Sequence, residues 1–224
     1  MPDRESVTTS QQSLVDPGSP SAEPFRALRL ALDLRSSTET AKTIVFTSAE
    51  PAEGKSTIAA NYALVSCRSY NQVLLIDADL RRPQLHTFFG LTRAPGLVET
   101  LAIGVGSTAH ANRLGNLAIL TAGRHVPNLG DLPASQRMAF LLQYAAASYG
   151  LVIVDSPPVL SAPDAVGLCV HPGVEVVLVV ARTTKRRVVT KALRVLRLVD
   201  AKIAGVVVNR EGQLASYGYG YGYG

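Results

Sequence analysis

Six short runs rich in Val, Ile and Leu punctuate this chain: Thr43–Thr47, Val73–Ile76, Leu117–Leu120, Leu151–Val154, Val174–Val180 and Ile203–Val208. Several are apolar almost without interruption, where a strand with one wet face would alternate. A strand apolar on both sides must be covered on both sides, and a parallel sheet between two layers of helices does this. The intervening stretches fit. Phe25, Leu28 and Leu32 recur at helical spacing behind Pro24, a residue suited to a first helical position. Helical patterns follow over 56–69, 134–148 and 186–199. The alternation predicts an α/β fold with a mostly parallel central sheet, right-handed crossovers and helices on both faces.

At 224 residues the chain has room for one sizeable domain, and 47% hydrophobic against 17% charged residues excludes wholesale disorder. The core must be mostly aliphatic, because there is no Trp and half of the eight Tyr stand in the last eight residues. Cys67 and Cys169 lie in apolar stretches without metal-ligand spacing and read as a reduced, buried pair. No apolar run approaches a membrane span and the polar N-terminus is no signal peptide, so a cytoplasmic protein is expected. Residues 1–22 are polar and Pro-containing, and read as a disordered arm. The domain proper is expected over 23–212, with a flexible tail over 213–224. A formal charge of +5 favours acidic partners without choosing among nucleotide, nucleic acid and anionic lipid. The cations of the 186–199 helix, and Lys185-Arg186-Arg187 at its start, read most simply as a solvated surface, with a docking surface for an acidic partner as the alternative.

Chemistry concentrates at three strand ends. Glu50-Pro51-Ala52-Glu53-Gly54-Lys55-Ser56-Thr57 follows the first expected strand and opens a helix, where backbone N–H groups and the helix dipole favour an anion. A Gly-Lys-Ser triplet is weak alone, but this strand–loop–helix setting makes it a phosphate-binding loop. Lys55 would reach the outer phosphates and Ser56 a Mg²⁺ ion. Ala49 departs from the usual pattern by standing where a first Gly is common. Asp77 and Asp79 end the second run, two residues apart and so on one side of an extended chain. Asp155 ends the fourth. Open α/β sheets bind ligands beyond the carboxyl ends of their strands, where the three segments would converge.

With its trailing Arg81, the Asp77–Asp79 segment resembles the additional Walker motif of the bacterial tyrosine kinases, phosphate-loop (P-loop NTPase-like) enzymes that control capsule and exopolysaccharide assembly. Glu23, Arg26 and Arg29 fit that family's Glu-x-x-Arg-x-x-Arg motif, which packs subunits into a ring. Pro127-Asn128-Leu129-Gly130-Asp131-Leu132 is similar to a family loop, with Leu129 in place of the usual Pro. Tyr217, Tyr219, Tyr221 and Tyr223, each followed by Gly, look like the C-terminal tyrosine cluster that the family autophosphorylates. The resemblance runs from about residue 23 to the last residue.

It implies an ATP-dependent protein-tyrosine kinase. Lys55 and the backbone of 50–57 would hold ATP, Ser56, Asp79 and Asp155 would hold Mg²⁺ directly or through water, and Asp77 would be the base. The roles of Asp77 and Asp79 are exchangeable at this level. Asn209, ending the last run, would contact adenine or form a turn. The short stretch between that run and the tail points to a neighbouring subunit's site as the one it enters. A transmembrane activator of the polysaccharide co-polymerase type, recruitment to the inner membrane face and a resetting phosphatase are further implications. No nucleic-acid partner is expected. Two rivals are a partitioning-type ATPase and a regulator that binds ATP without transferring phosphate. The first carries a signature Lys four residues before the loop Gly; Glu50 stands there.

Overall fold

The computed structural model describes residues 14–35, 42–103, 108, 110–125 and 132–209. A short 3₁₀ turn (Pro20–Ala22) leads into α1 (Glu23–Arg35), followed by β1 (Lys42–Ser48) and α2 (Lys55–Ser66). Next come β2 (Val73–Asp77), α3 (Leu85–Phe88), α4 (Leu97–Ile103), β3 (Asn112–Leu114), β4 (Leu117–Leu120) and α5 (Gln136–Ser148). The chain closes with β5 (Leu151–Asp155), α6 (Pro163–Cys169), β6 (Val174–Ala181), α7 (Arg186–Leu198) and β7 (Ile203–Asn209).

One seven-stranded sheet has the order β3-β4-β2-β5-β1-β6-β7. Every pairing is parallel except β3 with β4. Alternate residues of the central strands enter two separate cores, as runs apolar on both faces require. Val45, Ile76, Val154 and Leu178 face a layer holding Met138 of α5, Leu168 of α6 and Leu196 of α7. Ile44, Leu75, Ile153 and Val179 face α1, α2 and α3, where the Phe46 and Tyr62 rings lie 5.3 Å apart. All six expected strands form, and the four expected helices appear within three residues of their expected bounds.

The three strands that carry motifs, β2, β5 and β1, are immediate neighbours in this order. Their register sets Asp77 beside Asp155, and Asp155 beside Phe46. One edge of the sheet therefore gathers all three motifs.

Differences from the sequence reading have simple causes. The strand β3 escapes notice because Asn-Arg-Leu is three residues long and exposed or half-exposed, as a sheet edge allows. Helices α3, α4 and α6 have four, seven and seven residues, too few to display a period. The arm expected over 1–22 is corrected for its last third. Leu14 packs on the core beneath α2, Val15 N–H donates to Asn61 Oδ1 at 2.8 Å, and Ala22 is fully buried. Polar composition hid this because one apolar side chain and one amide suffice to seat the segment. The expected 213–224 tail and the 127–131 loop lie outside the described residues.

Replacing Leu14 by Ala and Val15 by Pro removes that packing and that donor. The pair should destabilise the domain by about 1–2 kcal/mol, read as a lower urea midpoint at unchanged slope. An unchanged midpoint would show that residues 14–22 merely rest on the surface.

Candidate active site

The loop between β1 and α2 is fixed from behind. Gly54 caps α2 with a φ of 88°, a left-handed conformation suited to Gly, and a Cβ there would run into Asn209 Nδ2. Asn209 Nδ2 donates to the Glu53 carbonyl at 2.9 Å. The Glu53 side chain, 4% exposed, points into the protein. Its Oε2 accepts from Glu50 N–H at 2.7 Å, and its Oε1 accepts from Ala181 N–H at 3.2 Å and from the Thr184 hydroxyl. Four donors thus tie the loop to itself and to the ends of β6 and β7.

The loop presents Lys55 to the carboxylates. Lys55 Nζ stands 2.8 Å from Asp79 Oδ2, 3.3 Å from Asp155 Oδ1 and 3.1 Å from Ser56 Oγ. Burial pulls the Lys55 ammonium toward neutrality, but the Asp155 and Asp79 carboxylates outweigh it and hold its pKa above the ordinary value. Asp79 Oδ1 accepts from Arg82 N–H at 3.0 Å, which fixes the turn after β2. Asp77 lies one layer deeper and has no exposure. Its Oδ2 accepts from Gln84 and Leu85 N–H at 3.1 and 3.0 Å, at the start of α3.

Burial, reinforced by Asp155, pushes the Asp77 carboxyl up to about 8, although the Leu85 amide and Lys55 oppose the rise. Burial also raises Asp155, against the pull of Lys55. With three carboxyls and one ammonium together, partial protonation is how the cluster limits its charge.

Two cavities flank the loop. One, of about 620 Å³, is bounded by Ala52–Thr57 backbone positions, Asp79, Arg81, Arg82, Pro157 and Ser161. The other, of about 420 Å³, lies between Glu50–Glu53 and Thr183, Thr184, Lys185 and Arg187. Asp79 reaches the first cavity; Asp77 and Asn209 border neither. Asn209, expected to contact adenine or form a turn, directs its amide nitrogen to the loop.

The donor set fits a magnesium–nucleotide. Asp155 Oδ2 and Asp77 Oδ1 are buried carboxylate oxygens without a hydrogen-bond partner. Among the described residues no three acidic, His or Cys side chains form a ready metal cage. Mg²⁺ takes one or two protein ligands and completes its shell with phosphate and water, and those two carboxylate oxygens could supply them.

Glu23, Arg26 and Arg29 share one side of α1, as their spacing predicts. Arg26 Nη2 meets Glu23 Oε2 at 2.6 Å and its Nη1 donates to the Pro17 carbonyl at 2.9 Å, while Arg29 meets Asp33 at 3.0 Å. Asn209 adjoins the chain's own loop, and the tail that follows it lies outside the described residues. Sequence reading also passed over Glu53 as a clamp and Arg82 in the cavity wall. The Arg81-Arg82 doublet was a visible signal; the inward turn of Glu53 had none.

Tyrosine-protein kinase YwqD of Bacillus subtilis is 35% identical over 199 residues, covering 88% of this chain and 84% of that one. This chain belongs to the bacterial tyrosine-kinase family. The kinase domain of Escherichia coli tyrosine kinase ETK superposes with a TM-score of 0.81 at 31% identity, covering 95% of this chain and 84% of that one. The chimerical protein CapA2B2 gives 0.78 at 32%, over 89% and 90%. Other relatives are far longer: this chain spans 26% of the putative tyrosine-protein kinase EpsB of Ralstonia nicotianae (33% identical over 86% of this chain). It spans 25% of the succinoglycan biosynthesis transport protein ExoP of Rhizobium meliloti, at 36% identity over 87% of this chain. McdA of Cyanothece, 21% identical with a TM-score of 0.64 over 76% of this chain and 71% of that one, shares the fold alone. No family model matches the chain. The kinase reading thus stands over the partitioning one, and the protein is a protein-tyrosine kinase with a nucleotide-binding phosphate loop.

Because the folded state holds the Asp77 proton more tightly than the unfolded chain, the stability from this group is greatest in acid. It is lost as pH rises toward and through about 8. Asp77→Asn keeps an acceptor for the two amides and removes the titration. Its melting temperature should fall less than the wild type's between pH 6 and 9; parallel curves would place the proton elsewhere. Lys55→Met leaves Asp79 and Asp155 without their cation, and breaking such a buried pair costs about 3 kcal/mol. The deficit should narrow as pH falls and Asp155 takes up a proton, which thermal melts across pH will read.

Proposed function

We propose that this kinase transfers the γ-phosphoryl group of Mg-ATP to the tyrosines of its own C-terminal cluster, Tyr217, Tyr219, Tyr221 and Tyr223, on a neighbouring subunit. The observation that carries the reading is Lys55 seated between Asp79, Asp155 and Ser56 at a loop that opens a helix. Lys55 and the loop amides of Glu50–Thr57 hold the phosphates. The nucleoside takes the cavity toward Thr184 and Lys185, while the acceptor enters the one toward Arg81 and Arg82. Bound Mg²⁺, held by Ser56, Asp79 and Asp155 directly or through water, supplies charge neutralisation at the phosphates. Asn209 serves the nucleotide through the loop it braces.

We assign the base role to Asp77, acting through a bridging water because it lines neither cavity itself. Its Oδ1 has no hydrogen-bond partner, and a carboxyl pushed up to about 8 is better matched to a phenol than an ordinary one. Asp77→Asn should therefore lose phosphoryl transfer with little loss of nucleotide affinity. Asp79→Asn should weaken both.

Transfer between subunits rests on the α1 motif. Leu30 and Leu34, 53% and 79% exposed, extend the Glu23-Arg26-Arg29 side of the helix as an apolar margin suited to a ring contact. By its kinship with polysaccharide-system kinases, the protein works at the inner membrane face in capsule or exopolysaccharide assembly, beside a transmembrane activator and opposed by a phosphatase. No helix among the described residues is long and apolar enough to cross a membrane.

Intact-mass measurement after incubation with Mg-ATP tests the chemistry. A Lys55→Met chain with intact tyrosines should gain phosphate when mixed with an active chain whose four tail tyrosines are Phe. A Lys55→Met chain that stays unphosphorylated in the mixture would refute transfer between subunits, and none on the wild type would refute autophosphorylation. Alanine at Glu23, Arg26 and Arg29 together should abolish oligomers in light scattering.

A further inference from the structure

The charge of this protein is not spread over it. From Arg182 to Val199 the chain carries Arg182, Lys185, Arg186, Arg187, Lys191, Arg194 and Arg197 and no acid, a local charge of +7. Since the whole chain is +5, everything else sums to −2. All seven side chains are exposed, and none pairs with a carboxylate among the described residues. At roughly 100° per residue the five cations of α7 occupy about 140° of its circumference. Ala192 and Leu196, on the opposite side, are fully buried. The five cations on this side of α7 repel one another, and no carboxylate among the described residues pairs with them.

Asn209, the last described residue before the C-terminal stretch, lies beside the first cation of this series. Arg182 N–H donates to the Asn209 carbonyl at 2.9 Å, so the last described residue of β7 touches the first cation of the series. Tyr217 follows eight residues later and Tyr223 fourteen. Fourteen residues reach up to about 50 Å. The stretch Tyr217–Tyr223 extends about 20 Å, close to the roughly 20 Å length of a 13-residue helix such as α7. Unmodified, residues 210–224 are neutral, with Arg210 offset by Glu211. Four phosphotyrosines would bring about −6 to −8, comparable in magnitude and opposite in sign to the +7 of residues 182–199, five charges of which lie on α7.

We propose that the phosphorylated tail docks on the basic face of α7 of its own chain. The inference rests on tail phosphorylation as proposed above, and it adds where the product goes. Tethering makes the encounter intramolecular, at an effective concentration near millimolar. Phosphate and Arg form charge-assisted, often bidentate hydrogen bonds. A tail held along α7 is withdrawn from a neighbouring subunit's acceptor cavity, so docking ends the exchange of tails. An unmodified tail lacks the charge and stays free to enter that cavity.

The test uses the full chain with its four tail tyrosines changed to Phe, and a synthetic fluorescent peptide of residues 210–224 bearing four phosphotyrosines. Anisotropy should show binding that fades at about 0.5 M salt, and none for the unphosphorylated peptide. Adding Lys191→Gln, Arg194→Gln and Arg197→Gln, exposed positions with a good helix former in each, should weaken binding about tenfold. A thermal melt checks that this chain stays folded. Wild-type chain phosphorylated by Mg-ATP should refuse the free phosphopeptide, and should accept it after phosphatase treatment. Equal affinity with and without the three Gln changes would overturn the proposal. So would undiminished peptide binding by the phosphorylated chain. Absence of peptide binding, with binding to vesicles of about 30% phosphatidylserine lost in the Gln variant, would make the face a membrane surface and also overturn it. A chain that binds the phosphopeptide yet never gains phosphate from Mg-ATP upholds the docking site and overturns autophosphorylation instead.

Discussion

An ammonium held between buried carboxylates organises this molecule. Lys55 enters the protein at the first turn of α2, and Asp79 and Asp155 approach it from the ends of β2 and β5. Such a cluster is expensive to bury, and isolated charges there would protonate or drive the chain apart. It persists because the sheet leaves its members nowhere else to go. Parallel strands β2, β5 and β1 end together, their apolar bodies locked in register by two cores. The aliphatic runs thereby set the geometry of the polar site.

Those runs are also why so much was legible. Continuous Val, Ile and Leu at 151–154 and 174–180 admits few environments, and the strands duly form there, as does each motif at a strand end. The sequence hid what depends on contacts between distant residues. Nothing in Ala-Glu-Gly-Lys says that Glu53 turns inward to meet Ala181 and Thr184, some 130 positions away. Nor does a polar stretch announce that Leu14 and Ala22 are seated on the core. Asn209 shows the same limit. Its place at a strand end was plain, but its partner, the Glu53 carbonyl, depends on β6 lying between β1 and β7.

The clamp on the loop explains a division of labour within it. Glu53 and Asn209 occupy the rear of the loop with hydrogen bonds to fixed backbone, leaving its front amides for an anion. Glu50 leaves its side chain exposed, so the position where partitioning ATPases place a signature Lys carries a solvated carboxylate here. A carboxylate cannot neutralise a transferring phosphoryl group. In the proposed reaction the chain's own charge compensation, beside that of Mg²⁺, would come from Lys55, Arg81 and Arg82, which line the cavity from α2 and from the turn after β2.

That arrangement places a condition on nucleotide entry. Lys55 cannot serve phosphate oxygens fully while it also satisfies Asp79 and Asp155 at 2.8 and 3.3 Å. If it turned to a bare anion, the two carboxylates would lose their cation, and Asp77 beside them is already held neutral by its surroundings. The site therefore accommodates phosphate only when positive charge or protons arrive together with it. A divalent cation brought by the nucleotide meets the first need, and the unpartnered Asp155 Oδ2 is available to it. With that charge in place, the Asp155 share of the Asp77 rise would be offset, while the larger share from burial would remain. In the proposed mechanism Asp77 would thus accept a proton more readily in a loaded site than in an empty one, which links proton acceptance to nucleotide entry.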